Sequence, residues 1–465
     1  MYAKTRRDAG IYRGHIRFLG ATNTVTGSKY LVRSRLAKIL VDCGLFQGYK
    51  QLRLRNWSSL PINPAELNAV VLTHAHLDHS GYLPLLIKNG FKGKIHCSAA
   101  TFDLCRILLP DSGHLMEEEA EYANRHQYSK HHPALPLYTE DDAQRCLQFF
   151  SPVDFGTRVD VARNMQTELL PAGHILGAAI VQLHDGDLTI TFSGDLGRSN
   201  DPIMVPPSIV EQTDYLLVES TYGNRLHEAV DPMRTLGEVI RETAHRGGVT
   251  VIPSFAVGRA QELLYYIHRL KESGAIPAML PIYLNSPMAV DATAIYQKHC
   301  HEHRLNDEEC RAMCHAARIV NTVEESIALN EKRVPMVIIA ASGMATGGRV
   351  LHHLKAFAPD RHNTILFTGF QAGGTRGASI LGGAEAVKIH GEYVPIRAQV
   401  VQIPNLSAHA DAQEILDWLS HFKQAPRQTF IVHGEPDAAD ALRVRIEQTL
   451  RWPCTVPDYL EAFDW

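Results

Sequence analysis

The spacing of the hydrophobic positions changes twice along the chain, and these changes divide it into three blocks. Between residues 15 and 44, and again between 166 and 192, short apolar runs are separated by turn residues, as in strands joined by tight connections. From Tyr215 to about His390, apolar runs such as 248–252 and 335–340 are separated by segments of helical length. This alternation predicts a parallel sheet flanked by helices. Strand-type runs then follow at 398–403 and 428–432.

The three blocks predict an α/β protein whose chain leaves a first domain, builds a second and returns to the first. We place the opening part of the first domain at residues 1–207, the second domain at 208–394 and the closing part at 395–465. Within the first block, the periodicity predicts helices over 82–89 and 106–126. Thr139, followed three residues later by Asp142, predicts a capped helix start.

The composition is that of a soluble globular protein. Of its 465 residues, 45% are hydrophobic and 21% are charged. A chain of this length is longer than one ordinary hydrophobic core requires. Its formal net charge of −4 excludes the overall positive field of an architectural DNA-binding protein. A polyanionic substrate would therefore need a locally basic groove.

Two features of the sequence bear on its location. Residues 1–8 lack the apolar core of a signal peptide, and no run of about eighteen apolar residues appears later. We therefore expect a cytoplasmic protein with no membrane partner. The eight cysteines show no disulfide framework and are expected to be reduced. Cys300, Cys310 and Cys314 stand among four histidines, but their spacing fits no standard zinc finger, and surface helices are the favoured interpretation there.

The segment 73–80 carries three histidines and an aspartate within six consecutive positions. The apolar run 67–72 before it predicts a buried strand, so these side chains would stand on the loop at its carboxyl end, where open α/β sheets place their chemistry. Imidazole and carboxylate donors together suit Zn²⁺, with Mn²⁺ as a second choice. The pattern indicates a metal-dependent hydrolase in preference to a histidine-rich surface turn.

Four further residues of ligand type stand at the ends of predicted strands, and several have glycine as a neighbour: His174, Asp195, His409 and His433. A dinuclear site needs about seven ligands and a carboxylate that bridges two cations about 3.5–4 Å apart. Asp195 is the candidate bridge.

The order of these residues resembles that of the metallo-β-lactamase superfamily: Asp42, then His74, His76, Asp78 and His79, then His174, Asp195 and His433. Glu219, His409 and His433 resemble the three added motifs of its β-CASP branch of nucleases. Segments 253–262 and 342–349 are also specific to that branch. The resemblance extends over almost the whole chain, from about Ile16 to about Leu450.

The resemblance implies a metallo-β-lactamase αββα sandwich, formed by the first and closing blocks, with an inserted β-CASP domain. It also implies a complete set for two Zn²⁺ ions: His74, His76 and His174 on one, Asp78, His79 and His433 on the other, and Asp195 between them. This completeness argues against an inactive scaffold. Asp42 would hold segment 73–80, which we call the ligand loop, without touching metal, or else would be an ordinary turn residue.

The implied activity is hydrolysis of single-stranded RNA in the cleft between the domains, for RNA processing or decay, leaving 5′-phosphate and 3′-hydroxyl ends. Asp78 would count as a catalytic residue as well as a ligand. His409 would protonate the departing ribose oxygen, and Glu219 would orient or charge it. The alternative for Glu219 is a surface carboxylate that follows a strand.

Substrate contacts are expected from the second domain. Gly347, Gly348 and Arg349 precede a helical-looking segment, so backbone amides at a helix start could receive a phosphate. Ser254 and Arg259 lie in a segment of similar design, and the two arginines are candidate phosphate contacts. Helix-start packing with solvated arginines is the alternative. Phe370, in the glycine-rich loop 369–375, is an aromatic side chain on which a base could stack.

Three other functions stay open at this point. A DNA nuclease of the same branch is the first, although DNA-repair members tend to carry an aliphatic residue where this chain has His433. An RNA-binding subunit without activity is the second. A small-substrate hydrolase is the third, but it would leave block 208–394 without a purpose. Relatives often form dimers, so a homodimer is expected. Internal and terminal cutting would use the same metal ligands.

Overall fold

The computed structural model describes residues 14–127, 129–228 and 230–465. These ranges form a sandwich of two seven-stranded sheets and a separate six-stranded sheet, with helices around them. The predicted α/β class is therefore confirmed. Residues 1–8, on which the cytoplasmic prediction partly rests, lie outside the described ranges. Within those ranges, no helix has both the length and the apolar character needed to cross a bilayer.

The first sheet of the sandwich carries the loop with the histidine cluster. Its strands, in spatial order, are β22 (Ala462–Asp464), β1 (Gly14–Phe18), β2 (Tyr30–Ser34), β3 (Lys38–Val41), β4 (Ala69–Val71), β5 (Lys94–Cys97) and β6 (Phe150–Pro152). Strands β3 to β6 are parallel, so β3 and β4 end at the same edge of the sheet. All three residues of β4 are buried, as the apolar run predicts. Asp42 and the segment 73–80 therefore leave the sheet side by side.

The second sheet supplies the remaining strand ends. Its strands, in spatial order, are β21 (Cys454–Thr455), β20 (Gln428–Val432), β11 (Tyr215–Glu219), β10 (Leu188–Phe192), β9 (Ala179–Asp185), β8 (Met165–Pro171) and β7 (Val159–Ala162). Strands β10, β11 and β20 are parallel neighbours, so Asp195, Glu219 and His433 emerge at one edge. The two sheets meet face to face, and the rings of Phe18 and Phe430 pack across the interface with centroids 5.1 Å apart.

Seven helices belong to this sandwich: α1 (Lys50–Arg55), α2 (Leu77–Ser80), α3 (Leu83–Lys88), α4 (Ala99–His126), α5 (Glu140–Cys146), α13 (Ala412–Leu419) and α14 (Pro436–Thr449). Helix α4 begins earlier than the predicted residue 106, because the Ser98 hydroxyl caps it by accepting a hydrogen bond from the Thr101 amide at 3.1 Å. The predicted cap at Thr139 is confirmed, since Thr139 and Asp142 exchange reciprocal hydrogen bonds at the start of α5.

The inserted domain is built on a parallel sheet. Its strands, in spatial order, are β14 (Arg318–Ile319), β13 (Ile282–Asn285), β15 (Met336–Ala340), β12 (Val249–Pro253), β16 (Thr364–Phe367) and β19 (Gln399–Gln402). Its helices are α6 (Pro232–His245), α7 (Arg259–Glu272), α8 (Pro287–Lys298), α9 (Asp307–His315), α10 (Val323–Glu331), α11 (Val350–Phe357) and α12 (Arg376–Leu381). A short hairpin, β17 (Ala386–Ile389) and β18 (Glu392–Pro395), precedes β19.

The strand pairing places both domain boundaries differently from the prediction, where the chain enters the inserted domain and where it leaves it. Strand β11 lies beyond the boundary at 207/208, yet it pairs with β10 and β20 of the sandwich. Strand β19 lies beyond the boundary at 394/395, yet it pairs with β16 of the inserted domain. The chain therefore enters the inserted domain after Glu219 and leaves it after Gln402.

Candidate metal centre

Seven side chains from the loops at the strand ends converge on one point of the sandwich edge. They form two groups in which one ligand atom from each residue lies within 4.8 Å of those of the others: His74, His76, His174 and Asp195 in the first, and Asp78, His79 and His433 in the second. These are the seven residues that the sequence predicts as metal ligands. His74, His79, His174, Asp195 and His433 are buried.

The separations in the first group leave room for a cation. The Nε2 atoms of His74 and His174 lie 3.4 and 3.5 Å from Asp195 Oδ2, and His74 Nε2 lies 3.0 Å from His76 Nδ1. Ligand atoms bound tetrahedrally at about 2.0–2.1 Å from Zn²⁺ are about 3.3–3.4 Å apart. The spacings of the first group therefore fit a divalent cation such as Zn²⁺.

The second group lies on the other side of Asp195. His433 Nε2 is 3.1 Å from His79 Nε2 and 3.4 Å from Asp78 Oδ2. Asp195 Oδ1 is 3.3 Å from His79 Nε2, whereas its Oδ2 faces the first group. One carboxylate thus presents a different oxygen to each group, as a bridging ligand requires.

Two further properties of these residues fit divalent cations. Asp195 Oδ1 is buried and has no hydrogen-bond partner among the described residues, an arrangement that is costly for an ionised oxygen without a cation. Burial lowers the pKa of His74 and His174 well below the ordinary value and that of His76 to about 4, so these imidazoles are neutral at pH 7. A neutral imidazole has the free lone pair that a metal needs.

Asp42 fixes the orientation of His79 and of the ligand loop. Its Oδ2 lies 2.7 Å from His79 Nδ1, which leaves Nε2 to face the second group. Its Oδ1 accepts a hydrogen bond from the Thr73 amide at 2.7 Å. The neighbouring Gly44 allows close packing here, because a Cβ atom at Gly44 would lie 1.5 Å from the Asp78 carbonyl oxygen.

We expect Asp42→Asn to lower zinc affinity by about 10- to 100-fold without removing a ligand, because the amide would no longer hold His79 in one tautomer. Competition with a chromophoric chelator measures the affinity. Asp187→Asn, in the exposed turn between β9 and β10, is the matched control. Unchanged affinity in Asp42→Asn would show that the loop holds its geometry without this carboxylate.

His409 and Glu219 form a pair beside the metal groups. Glu219 is fully buried at the end of β11, and its Oε1 accepts a hydrogen bond from the Leu196 amide at 2.7 Å and lies 3.0 Å from His409 Nδ1. His409 Nε2 lies 4.0 Å from Asp195 Oδ2, so it faces the centre. Burial alone would lower the pKa of His409, but the negative charges of Glu219, Asp195 and Asp78 outweigh it and raise the pKa to about 9. His409 is therefore protonated at neutral pH when the ligand groups hold no cation.

The rate of a reaction that needs protonated His409 should fall as pH rises through about 9, because the proton is lost above its pKa. Glu219→Gln removes the first of the charges that raise this pKa, so the alkaline limb of the pH–kcat profile should move to lower pH. Profiles of both proteins on one labelled RNA test this. An unmoved limb in Glu219→Gln would mean that another group titrates there.

Three positioning residues were not predicted. Thr73 donates its hydroxyl to Asp42 Oδ2 at 2.9 Å, Thr221 Oγ1 lies 3.1 Å from His433 Nδ1, and His227 Nε2 lies 2.9 Å from the His409 carbonyl oxygen. Thr73 directly precedes His74, and Thr221 follows Glu219 by two positions. A hydroxyl one or two positions from a predicted site residue at a strand end is the signal that would have identified both threonines. His227 carries no such signal.

The predicted substrate contacts have partners inside the protein. Arg349 donates to Asn285 Oδ1 at 2.8 Å and to the carbonyl oxygens of Val320 and Asn321. Arg259 is buried and pairs with Glu262 of the same helix. Both arginines therefore pack at a helix start, as the alternative expects. Their charged groups contact other parts of the protein, whereas the alternative expects them in solvent.

The remaining substrate contacts also lie in local structure. Ser254 is buried and donates its hydroxyl to the Phe255 carbonyl oxygen at 3.0 Å. The Gly347 amide donates to Ser342 Oγ at 3.3 Å. Gly348 has φ +72°, a conformation that glycine adopts without strain. The role of all five residues in binding RNA stays a prediction.

The cysteines near residue 300 form no metal group in the part of the chain that the structure describes. Cys300 is exposed, Cys310 is buried and Cys314 is intermediate, and none of them joins a set of converging ligands. In the same segment, His299, His301 and Glu302 do converge, so the interpretation of the segment as surface helices without metal stays a prediction.

Three family models match the chain. The metallo-β-lactamase superfamily model matches residues 23–236, the β-CASP domain model 260–380, and the model of a Zn-dependent metallo-hydrolase RNA specificity domain 393–457. The chain belongs to the β-CASP family of the metallo-β-lactamase superfamily and is a metal-dependent hydrolase.

Curated relatives cover most of the chain. A ribonuclease of Thermus thermophilus is 36% identical over 91% of this chain and 94% of its own length. The transcription termination factor FttA of Methanocaldococcus jannaschii is 31% identical over 93% of this chain and 69% of its own length. A crystal structure of an Enterococcus faecalis protein of unknown function has the same fold, with a TM-score of 0.53, 12% identity, and coverage of 97% of this chain and all of that one.

Proposed function

We propose that this protein is a zinc-dependent ribonuclease that hydrolyses single-stranded RNA in the cleft between its domains. The observation that carries the proposal is Asp195, whose two oxygens face two complete ligand groups while His409 stands beside them. The match of residues 393–457 to an RNA specificity domain and the name of the Thermus relative support RNA as the substrate.

The residues of the site have different roles in the reaction. When bound, Zn²⁺ supplies positive charge for the phosphate oxygens and lowers the pKa of a water molecule in the cleft. His409, held by Glu219 and protonated at neutral pH, donates its Nε2 proton to the ribose 3′-oxygen that leaves. The products then carry 5′-phosphate and 3′-hydroxyl ends. Asp78 and Asp195 hold negative charge beside the imidazoles and so favour occupation by cations.

The test is cleavage of 5′-labelled and 3′-labelled single-stranded RNA, with and without a chelator, beside an Asp78→Ala variant. We expect cleavage that stops with the chelator and is restored by Zn²⁺, and no cleavage by Asp78→Ala. The two labels distinguish internal from terminal cutting. Intact RNA in every sample would contradict the proposal.

A matched single-stranded DNA in the same assay separates the alternative functions. Faster cleavage of DNA would favour a DNA nuclease, and binding without cleavage would favour an RNA-binding subunit. The homodimer stays a prediction, which light scattering on the purified protein tests. The cytoplasmic location stays a prediction as well.

A further inference from the structure

A surface outside the metal centre combines exposed aromatic rings with positive charge. This rim surface consists of Tyr49, Lys50, Arg53 and Trp57, on and next to helix α1. Trp57 is 60% exposed and Tyr49 is 48% exposed, and both basic residues are exposed. Among the described residues, no carboxylate forms an ion pair with Lys50 or Arg53. The positive charges of the rim surface are therefore available to an anionic partner.

The rim surface is directly connected to the ligand loop. The chain between Asp42 and α1 packs along that loop, since the Cys43 amide donates to the His79 carbonyl oxygen at 2.7 Å and the Leu45 amide to that of Leu77 at 2.8 Å. Helix α1 begins six positions after Gly44. The rim surface thus lies at the end of a short segment that starts at the metal centre.

The rim surface also touches the inserted domain. A Cβ atom at Gly373 would lie 2.4 Å from the Tyr49 hydroxyl oxygen, and one at Gly374 would lie 2.9 Å from the Tyr49 ring, so the ring packs closely on this glycine pair. The two glycines belong to the loop that carries Phe370. The rim surface therefore stands where the two domains meet.

Aromatic rings lead from the proton donor to this place. The rings of His409 and Tyr222 have centroids 6.2 Å apart, and those of Tyr222 and Phe370 are 5.9 Å apart. Tyr49 packs on the loop of Phe370. Tyr222 is only 2% exposed, so these rings are a packing contact inside the protein, and the ring faces open to bases are those of Tyr49 and Trp57. Exposed aromatic rings beside positive charge are a usual means of holding single-stranded nucleic acid, because every base can stack.

Positive charge is present on the inserted domain here as well. Arg376, at the start of α12, donates to the carbonyl oxygens of Ala345 and Thr346 at 3.0 and 2.9 Å. Burial lowers its pKa; of the charges around it, Glu119 raises that pKa and Arg53 lowers it. The Arg376 guanidinium is thus held by carbonyl oxygens of the inserted domain, and Lys50 and Arg53 are the charges of the rim surface that remain for RNA phosphates.

We propose that the rim surface binds the part of a single-stranded RNA that extends beyond the cleaved phosphodiester, with Lys50 and Arg53 on phosphates and Tyr49 and Trp57 on bases. The inference rests on the proposed ribonuclease function and adds a second contact region to it. Long RNA is then held at two places, and short RNA only at the metal centre.

The first test compares RNAs of about 6 and about 30 nucleotides, since a single-strand binding groove covers about 4–16 nucleotides. In Lys50→Gln/Arg53→Gln we expect KM for the long RNA to rise about tenfold at unchanged kcat, with no change for the short RNA. The slope of log affinity against log salt should decrease by about 1.4, because two phosphate contacts are lost. Lys92→Gln/Lys94→Gln, at the amino end of β5 and away from the ligand loops, is the matched control. An equal effect on both RNAs, or no effect beyond the control, would overturn the proposal.

The second test does not depend on cleavage. In an Asp78→Ala background, long RNA should quench tryptophan emission through Trp57, which is 60% exposed. Trp418 and Trp452 are only 6% and 7% exposed, and the partly exposed Trp465 packs on Tyr215 at the other end of the first sheet, so Trp57→Phe isolates the contribution of the rim surface. The quenching should be lost in Trp57→Phe, and short RNA should not produce it. Quenching that persists in Trp57→Phe would overturn the proposal. A wild-type protein that cuts no RNA but shows Trp57-dependent quenching would instead contradict the ribonuclease function alone.

Discussion

Replacing Asp195 by alanine should remove bound metal and RNA cleavage together. Asp195 presents an oxygen to each ligand group, at 3.4 Å from His74 Nε2 and 3.3 Å from His79 Nε2. Without it, the buried imidazoles of both groups lose the carboxylate that lies between them. We expect about a 10⁴-fold or greater loss of activity, as for a residue on which the whole catalytic group depends.

Metal analysis after dialysis and cleavage of labelled RNA measure the two effects of Asp195→Ala. Asp187→Ala removes an exposed carboxylate from the turn between β9 and β10 and should change neither. Circular dichroism shows whether Asp195→Ala still folds. A folded Asp195→Ala protein that retains two zinc ions would rule out the bridging role.

His409→Ala should lower kcat by about 10²- to 10⁴-fold while the metal content stays unchanged. The reason is that His409 Nδ1 is occupied by Glu219 and its Nε2 lies 4.0 Å from Asp195, so it stands beside the ligand groups without belonging to them. The loss should be much smaller on a nucleotide p-nitrophenyl ester, because that leaving group departs without a proton. This difference between substrates is specific to a proton donor.

The control for His409→Ala is His421→Ala, an exposed histidine just beyond helix α13. Loss of zinc from His409→Ala would make His409 a ligand. An equal loss on the RNA and on the activated ester would show that His409 positions the substrate and does not protonate the leaving group.

The convergence of the predicted ligands could be expected from the sequence, because they lie within a few residues of the ends of apolar strands. Their binding of metal stays a prediction. Parallel strands such as β3 and β4 end at one edge, so His74 and its neighbours had to meet Asp42 there. The sheet to which a strand belongs was harder to predict. Strands β11 and β19 are apolar segments between helical ones, and such a pattern is the same whether the strand pairs in the sandwich or in the inserted domain.

The contacts of long side chains could not be predicted from the sequence either. Arg349 follows two glycines, as a phosphate-binding arginine would, but its guanidinium contacts Asn285 and the carbonyl oxygens near residue 320. Those partners lie 28 to 64 positions earlier in the chain, so only the folded structure brings them to the arginine. Arg259 differs because its partner Glu262 is only three positions away, at a spacing that already permits a helical ion pair.

The insertion of one domain within another determines at what stage of synthesis the second ligand group can form. His433 Nε2 and Asp78 Oδ2 are 3.4 Å apart but separated by 355 positions, and closing a loop of that length costs on the order of 5 kcal/mol in chain entropy. The inserted domain shortens this loop only after it has folded itself. During synthesis the second ligand group cannot close until residue 433 has left the ribosome. A nascent chain that has not yet exposed residue 433 therefore lacks a complete second ligand group, so the messenger RNA under translation meets no assembled centre before that point.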